Sequence, residues 1–295
     1  MAERGTADAV GPDGGAPAGR RVFDPALKQY PQGFRVDDPQ LDGARRAAFL
    51  EARQRVLQAA LVAIATGPDR SRLVLRGSAA MPFHVGERAR PPKDLDFIVD
   101  GETGSIDDPR SLALFDRLEA LVCGLRVEGV EFAAERAARS GIWTYERAPG
   151  CRLVVPWIMD GGAWDVLQLD LVFGEALRRP VETLPSGLRI APAELALAWK
   201  ILWLASDMYP QAKDLYDAAV LAAATSIDRS LLAQTFADAD ERAPANGRIE
   251  VDMHLEWAGF DDALLPDGAD RKTAARAWWQ AVNRALAAAW DGPGD

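Results

Sequence analysis

Histidine and cysteine are scarce in this chain of 295 residues: His84 and His254 are the only imidazoles, Cys123 and Cys151 the only thiols. Two thiols exclude a disulfide framework and a Cys-rich zinc site. Two imidazoles far apart in sequence exclude a three-His metal centre and leave a Ser-His-Asp triad without support. Any metal binding must rest on carboxylates, which favours a hard ion such as magnesium. Long apolar runs are missing as well; none approaches the ~18 residues of a membrane span. The opening residues, Met1-Ala2-Glu3-Arg4, lack the basic-then-apolar pattern of a secretory signal, so the expected compartment is the cytoplasm, with no membrane partner. An excess of positive charge is also absent. Lys and Arg number 34 against 44 Asp and Glu, a net charge of −10. That argues against a broad, sequence-independent grip on nucleic acid and leaves room for a local basic groove.

What is present is 48% hydrophobic and 26% charged, the composition of a globular chain long enough for one large domain or two ordinary ones. Residues 1–36 read as a flexible tail, its first part rich in Gly, Ala, Pro and Asp. A helix is predicted over Leu41–Ala65, with Phe49, Val56, Leu57, Ala60, Leu61 and Ile64 at helical spacing. Strands follow at Arg72–Leu75 and Asp94–Val99, a helix at Asp108–Leu125, then strands at Val130–Ala134, Ile142–Glu146, Cys151–Ile158 and Trp164–Phe173. Pro180, Pro185 and Gly187 mark a boundary. Beyond it four helices are predicted, at Pro192–Ser206, Tyr209–Ala224, Arg229–Ala239 and Arg271–Trp290. The expected organisation is an α/β domain over 37–182 and a helical domain over 183–295.

The chemistry concentrates in two places. Leu73-Val74-Leu75-Arg76 runs into Gly77-Ser78, and sixteen positions on comes Asp94-Leu95-Asp96-Phe97. In a strand Asp94 and Asp96 share one face, about 7 Å apart at Cα, while Leu95, Phe97 and Val99 face the core. Two such carboxylates repel each other unless a divalent cation lies between them. Alone, the pattern is also that of a half-buried strand with a solvated acidic face. Gly77 allows close backbone approach to a ligand, and Ser78 is placed to cap a helix whose N-terminus favours phosphate, with Arg76 as an added cation. Alone, this is also a plain strand-to-helix turn. The two together, in this order, suggest a nucleoside triphosphate site with its metal ions.

A third carboxylate is expected for a two-metal phosphoryl-transfer site. Trp164–Phe173 offers Asp165 and Asp170 on opposite faces. Asp170 lies deep in an apolar run, where an unpaired carboxylate is costly, and is the chosen candidate. Asp165, near the strand start, reads as solvated. In Leu195–Ser206 the one charged residue is Lys200, which emerges from an apolar helix and needs a partner. Asp214 and Asp217, three apart on the next helix, face one side and supply it, so that Asp214 orients the lysine towards a phosphate. The alternative is a lysine that snorkels along the core.

These segments resemble the AbiEii/AbiGii-type nucleotidyltransferase toxins of the DNA polymerase beta-like superfamily. The matching residues are Arg76-Gly77-Ser78, Arg90 in the loop before Asp94-Leu95-Asp96, Leu169-Asp170-Leu171-Val172-Phe173-Gly174-Glu175, the Pro192–Lys200 segment, and Lys213-Asp214-Leu215-Tyr216-Asp217. The likeness spans roughly 40–225. Pro92 stands where the larger family often has Ser. The later helices, with Trp257, Trp278, Trp279 and Trp290, find no counterpart and read as core. The resemblance implies an α+β fold, a polymerase beta-like mixed sheet with flanking helices followed by a helical domain. It implies transfer of a nucleotide from an NTP, with two Mg2+ ions, to an acceptor. Asp94, Asp96 and Asp170 would hold metal, with Asp170 assisting deprotonation of the acceptor. Arg76, Gly77, Ser78, Arg90 and Lys200 would bind the triphosphate, Lys200 being set by Asp214 and supported by Asp217. Some relatives act on the tRNA 3′ end beside a separately encoded antitoxin. A small-molecule hydroxyl as acceptor, or a nucleotide-binding protein without turnover acting through a partner, are the alternatives.

Overall fold

A computed structural model describes residues 21–23, 34–36, 39–101, 106–144, 148–207, 209–244, 247–249 and 254–291. The expected tail over 1–36 lies outside these residues apart from β1 (Arg21–Phe23) and β2 (Phe34–Val36), which pair antiparallel. The chain forms two compact units. One comprises Met1–Ala79, Pro91–Glu175 and Thr183–Ile190; the other comprises Ala80–Arg90, Ala176–Glu182 and Ala191–Asp295. The sequence division at 182/183 did not foresee that residues 80–90 group with the helices.

In the first unit, α1 (Gly43–Thr66) buries Phe49, Ala52, Val56, Leu57, Ala60, Leu61 and Ile64, a stripe of helical period. Gly67 ends it, its N–H bonding the Ile64 carbonyl at 3.1 Å. β3 (Leu73–Arg76) is buried throughout. The chain then passes through α2 (Met81–Val85) of the other unit, and returns as β4 (Leu95–Val99). α3 (Pro109–Cys123) starts at Asp108, whose carboxylate accepts from the Arg110 N–H at 2.8 Å, with Pro109 at the first helical position. β5 (Val130–Phe132), β6 (Ala138–Thr144), β7 (Ala148–Met159), β8 (Trp164–Phe173), β9 (Glu182–Thr183) and β10 (Arg189–Ile190) complete the sheet. The strand order is β5-β7-β8-β4-β3-β10-β9, with β6 also on β7. β4 is antiparallel to β3 and parallel to β8, so the sheet is mixed. The strand expected to end at Glu146 is described only to Thr144.

Register decides which face each side chain takes. Leu95, Phe97 and Val99 of β4 pair with Leu169, Leu171 and Phe173 of β8. This is the helix-covered face: Phe49 of α1 stacks on Trp157 at 5.7 Å, and Phe115 of α3 meets Phe173 edge-on at 5.8 Å. Asp165 lies on the same face, and the expectation of a solvated carboxylate is corrected. Arg53 of α1, buried and 4.8 Å above the Phe49 ring, donates its Nε to Asp165 at 2.5 Å. A carboxylate beneath a helix needs such a partner.

The second unit contains α2, α4 (Ala193–Ser206), α5 (Ala212–Ala222), α6 (Arg229–Asp238) and α7 (Arg271–Asp291). Every residue of α4 from Leu195 to Leu204 is buried, as an all-round apolar sequence requires. Of the four tryptophans beyond 225 expected as core, Trp257 and Trp290 are only half-buried. Trp278 and Trp279 are buried, and Trp278 meets Tyr216 of α5 edge-on at 5.3 Å. Among the described residues no helix is long and apolar enough to cross a membrane.

The Arg53–Asp165 pair tests this packing. Arg53→Met, which strands Asp165, is expected to cost about 2–3 kcal/mol in urea denaturation. Adding Asp165→Leu should recover most of that loss, because an apolar pair replaces a desolvated ionic one.

Candidate functional site

The face of the sheet opposite α1 and α3 carries a row of charge. Arg76 on β3 pairs in register with Asp96 on β4, Asp96 with Asp170 on β8, and Asp170 with Arg152 on β7. The row therefore reads positive, negative, negative, positive across four strands. Asp96 and Asp170, from segments more than seventy positions apart in sequence, are direct neighbours.

The glycine turn meets this row. Gly77 has φ +66°, and a Cβ there would stand 2.3 Å from Asp96 Oδ2. Only glycine gives both the left-handed backbone and the space. Ser78 Oγ donates to Asp94 Oδ1 at 3.4 Å. The expected capping role of Ser78 is not what forms. Gly77–Ala79 is a single 3-10 turn, and α2 begins afterwards with Ala80 as its cap. The sequence places the turn correctly, but the hydroxyl serves a carboxylate instead of a helix end.

Asp170 is buried and accepts a fork from Arg152, Nε to Oδ1 at 2.8 Å and Nη2 to Oδ2 at 2.7 Å. Gln168 Nε2 also donates to Oδ2 at 3.2 Å. Arg76 is buried against Glu175, whose carboxyl is pushed above its ordinary range by burial, with Arg76 opposing. Among the described residues, no three His, Cys, Asp or Glu side chains group so as to hold a metal ion. Cys151 belongs to the helix-covered face, in register with Leu171, and burial pushes its thiol up to about 12. A buried thiol raised in this way is disfavoured as a nucleophile.

Sequence reasoning gave no role to Arg152, Gln168 or Glu175. Arg152 carried the same signal as Lys200, a lone charge in an apolar strand, Cys151–Ile158. Glu175 follows the Phe173-Gly174 step directly and was readable as a partner for Arg76.

In the second unit, Lys200 is buried, with Nζ 2.6 Å from Asp214 Oδ1 and 3.0 Å from Asp217 Oδ2. The ammonium also lies 5.0 Å from the Trp203 ring centroid. Asp217 takes a fork from Arg90, with Nε at 3.0 and 3.2 Å and Nη2 at 3.1 Å. Tyr216 donates its hydroxyl to the Arg88 carbonyl at 2.7 Å. Residues 80–90 are thereby tied to α5. The expected pairing of Lys200 with Asp214 is present, and Arg90 joins the group through Asp217. Burial alone would depress the Lys200 ammonium, but Asp214 and Asp217 outweigh it and hold it above its ordinary value. Burial alone would raise Asp214, but Lys200 and Lys213 hold it below.

Two outcomes are expected. Gly77→Ala forces a methyl into Asp96 on a positive-φ backbone and should cost about 1–3 kcal/mol in thermal or urea melts. The second concerns pH. Asp214, with its folded value lowered, contributes stability above its unfolded value of 3.8 and loses it as pH falls below that. Lys200, with its folded value raised, contributes below 10.5 and loses it as pH rises beyond. Melting temperature should therefore drop outside this window. Asp214→Asn should lower stability at neutral pH by about 3 kcal/mol and flatten the acid-side drop.

The fold has counterparts among known proteins. No curated protein matches the chain. Among solved structures, JHP933 from Helicobacter pylori superposes with TM-score 0.53 at 17% identity, covering 82% of this chain and 94% of its own. A second H. pylori protein, described as a candidate nucleotidyltransferase, gives TM-score 0.51 at 16% identity, covering 86% of this chain and 100% of its own. At such identities the likeness is one of fold. The sequence pattern of a family described as the nucleotidyl transferase AbiEii toxin, type IV toxin–antitoxin system, matches residues 59–286. With most of its length matched, the chain belongs to the AbiEii nucleotidyltransferase toxin family.

Proposed function

We propose that this nucleotidyltransferase moves a nucleotide from an NTP to an acceptor hydroxyl with Mg2+ as cofactor, and that its acceptor is RNA such as a tRNA 3′ end. The observation that carries the reading is the contact of Gly77 with Asp96, 2.3 Å from a hypothetical Cβ to Oδ2. It supports reading the glycine turn and the acidic strand as one site.

The donor set fits a hard divalent ion. Asp94 and Asp96 are carboxylates on one face of β4 and its entry, and Ser78 lies beside Asp94. They would hold the ion, which when bound supplies Lewis-acid polarisation of the triphosphate. The chain's own groups do the rest. Gly77 keeps the backbone low enough for phosphate oxygens to approach, and Arg76 adds a fixed positive charge behind the turn. In the helical unit, Lys200 and Arg90 are the proposed cations for triphosphate charge, oriented by Asp214 and Asp217. Such catalysis is positioning and charge stabilisation more than covalent chemistry.

A separately encoded antitoxin, a role in abortive infection and a cytoplasmic location belong to the same proposal, with the type IV toxin–antitoxin family as their support. The net charge of −10 favours one competing acceptor, a cationic small molecule, because it disfavours broad RNA binding.

The test uses labelled NTPs with total RNA and, in parallel, with small cationic hydroxyl compounds. RNA labelling by the wild-type chain is expected, with Asp94→Ala slower by roughly 100- to 1,000-fold. Label on the small compounds alone would transfer the proposal to the second acceptor. Equal labelling by Asp94→Ala would remove Asp94 from the chemistry.

A further inference from the structure

We infer that the exposed face of α7 is a docking surface for the phosphate backbone of RNA, with Lys272, Arg276 and Arg284 as its cations. The inference deepens the RNA-acceptor reading and rests on it for what the bound RNA does there.

The net charge leaves room for a local basic surface, and α7 carries one. The helix contains Arg271, Lys272, Arg276 and Arg284, with no Asp or Glu before Asp291, in a chain where acids outnumber bases 44 to 34. Lys272, Arg276, Gln280 and Arg284 follow one another at intervals of four, which sets them in a row along one side of a helix. All four are exposed. A solvated helix face ordinarily mixes signs in pairs three or four apart. Here no acid stands three or four positions from any of the three cations. Asp270, close enough to Lys272 and Arg276 to feel both, is engaged in capping the helix, its Oδ1 accepting from the Thr273 N–H at 2.7 Å.

The row is firmly mounted. The opposite side of α7 buries Trp278, Trp279, Val282 and Leu286, and Trp278 meets Tyr216 of α5 edge-on. The basic helix therefore packs on the helix that carries Asp214 and Asp217. Arg248 extends the surface. It is exposed, and the next residue, Ile249, is held by Asn283, which accepts from its N–H at 2.9 Å and donates to its carbonyl at 3.3 Å. That places Arg248 beside the turn of α7 that bears Arg284.

The shape of the row selects the occupant. From Lys272 to Arg284 it runs about 18 Å along the axis, longer than one triphosphate and suited to an extended polyanion. A protein interface needs an apolar core, and a lipid surface needs apolar side chains to insert. Among the described residues the large exposed hydrophobic side chains are Val62, Phe83, Leu112 and Tyr209, none of them on α7. Between its cations the row offers Gln280, a polar side chain of the kind that bonds phosphate and sugar oxygens.

Fluorescence anisotropy of a labelled single-stranded RNA on the full chain, at several salt concentrations, tests this beside label transfer from NTP to total RNA. Lys272→Gln, Arg276→Gln and Arg284→Gln are combined, since Gln has nearly the helix propensity of the residues it replaces. The triple variant is expected to bind RNA about 10-fold or more weaker than wild type, with a logarithmic salt slope shallower by about 2. In transfer, the RNA concentration giving half-maximal rate should rise by a similar factor, while the rate at saturating RNA stays within about twofold. Gln280→Lys should tighten RNA binding by about threefold, a gain that does not depend on the triple variant folding. RNA binding unchanged in both variants overturns the inference and leaves the function reading standing, since that reading is judged by Asp94→Ala. Competition by polyglutamate as strong as that by RNA, and lost in the triple variant, also overturns it and gives the face to an acidic protein. RNA bound through this row but never labelled upholds the surface and removes RNA as the acceptor.

Discussion

Two carboxylates in register on adjacent parallel strands are the constraint around which the sheet is arranged. Asp96 and Asp170 sit side by side on β4 and β8. Neighbouring strands lie about 4.8 Å apart, and two like charges at about 5 Å repel by roughly 3 kcal/mol at an effective dielectric near 20. The fold tolerates this because the next strand on either side supplies a guanidinium in the same row, Arg76 and Arg152. The row also sets the turn. With Asp96 Oδ2 in the space beside residue 77, no side chain can be accommodated there. The glycine follows from the carboxylate as much as from any phosphate.

The fold was legible wherever one period dominated the sequence. Trp164–Phe173 was bounded correctly from alternation, and α4 from its apolar run before Asp207. The face assignment of Asp170 followed from counting by two along β8, and the register then put it beside Asp96. Two kinds of feature were not legible. One is partner choice between distant segments. Nothing local says that Asp165 will meet Arg53, or that Arg152 will fork onto Asp170, because those pairings depend on which helix covers which face and which strand lies adjacent. The other is the short-range competition at Ser78. A serine after a strand reads as a cap, yet its hydroxyl bonds Asp94 and the backbone closes a 3-10 turn. Side-chain acceptors close in space won over the helix start. Residues 80–90 escaped assignment for a related reason. Their allegiance to the helices is made by Arg90 on Asp217 and Tyr216 on the Arg88 carbonyl, both long-range contacts.

The two lone cations that interrupt apolar segments, Arg152 and Lys200, satisfy buried carboxylates by different chemistry. Lys200 is a compact charge whose three donors can serve several acceptors at once, and it is shared between Asp214 and Asp217. Arg152 is a planar fork matched to one carboxylate, and it bonds both oxygens of Asp170. A shared ammonium can redistribute between its partners with small movements when a further charge arrives. A bidentate guanidinium must break two bonds together. The geometry therefore divides the buried cations into an adjustable one in the helical unit and a fixed one in the sheet.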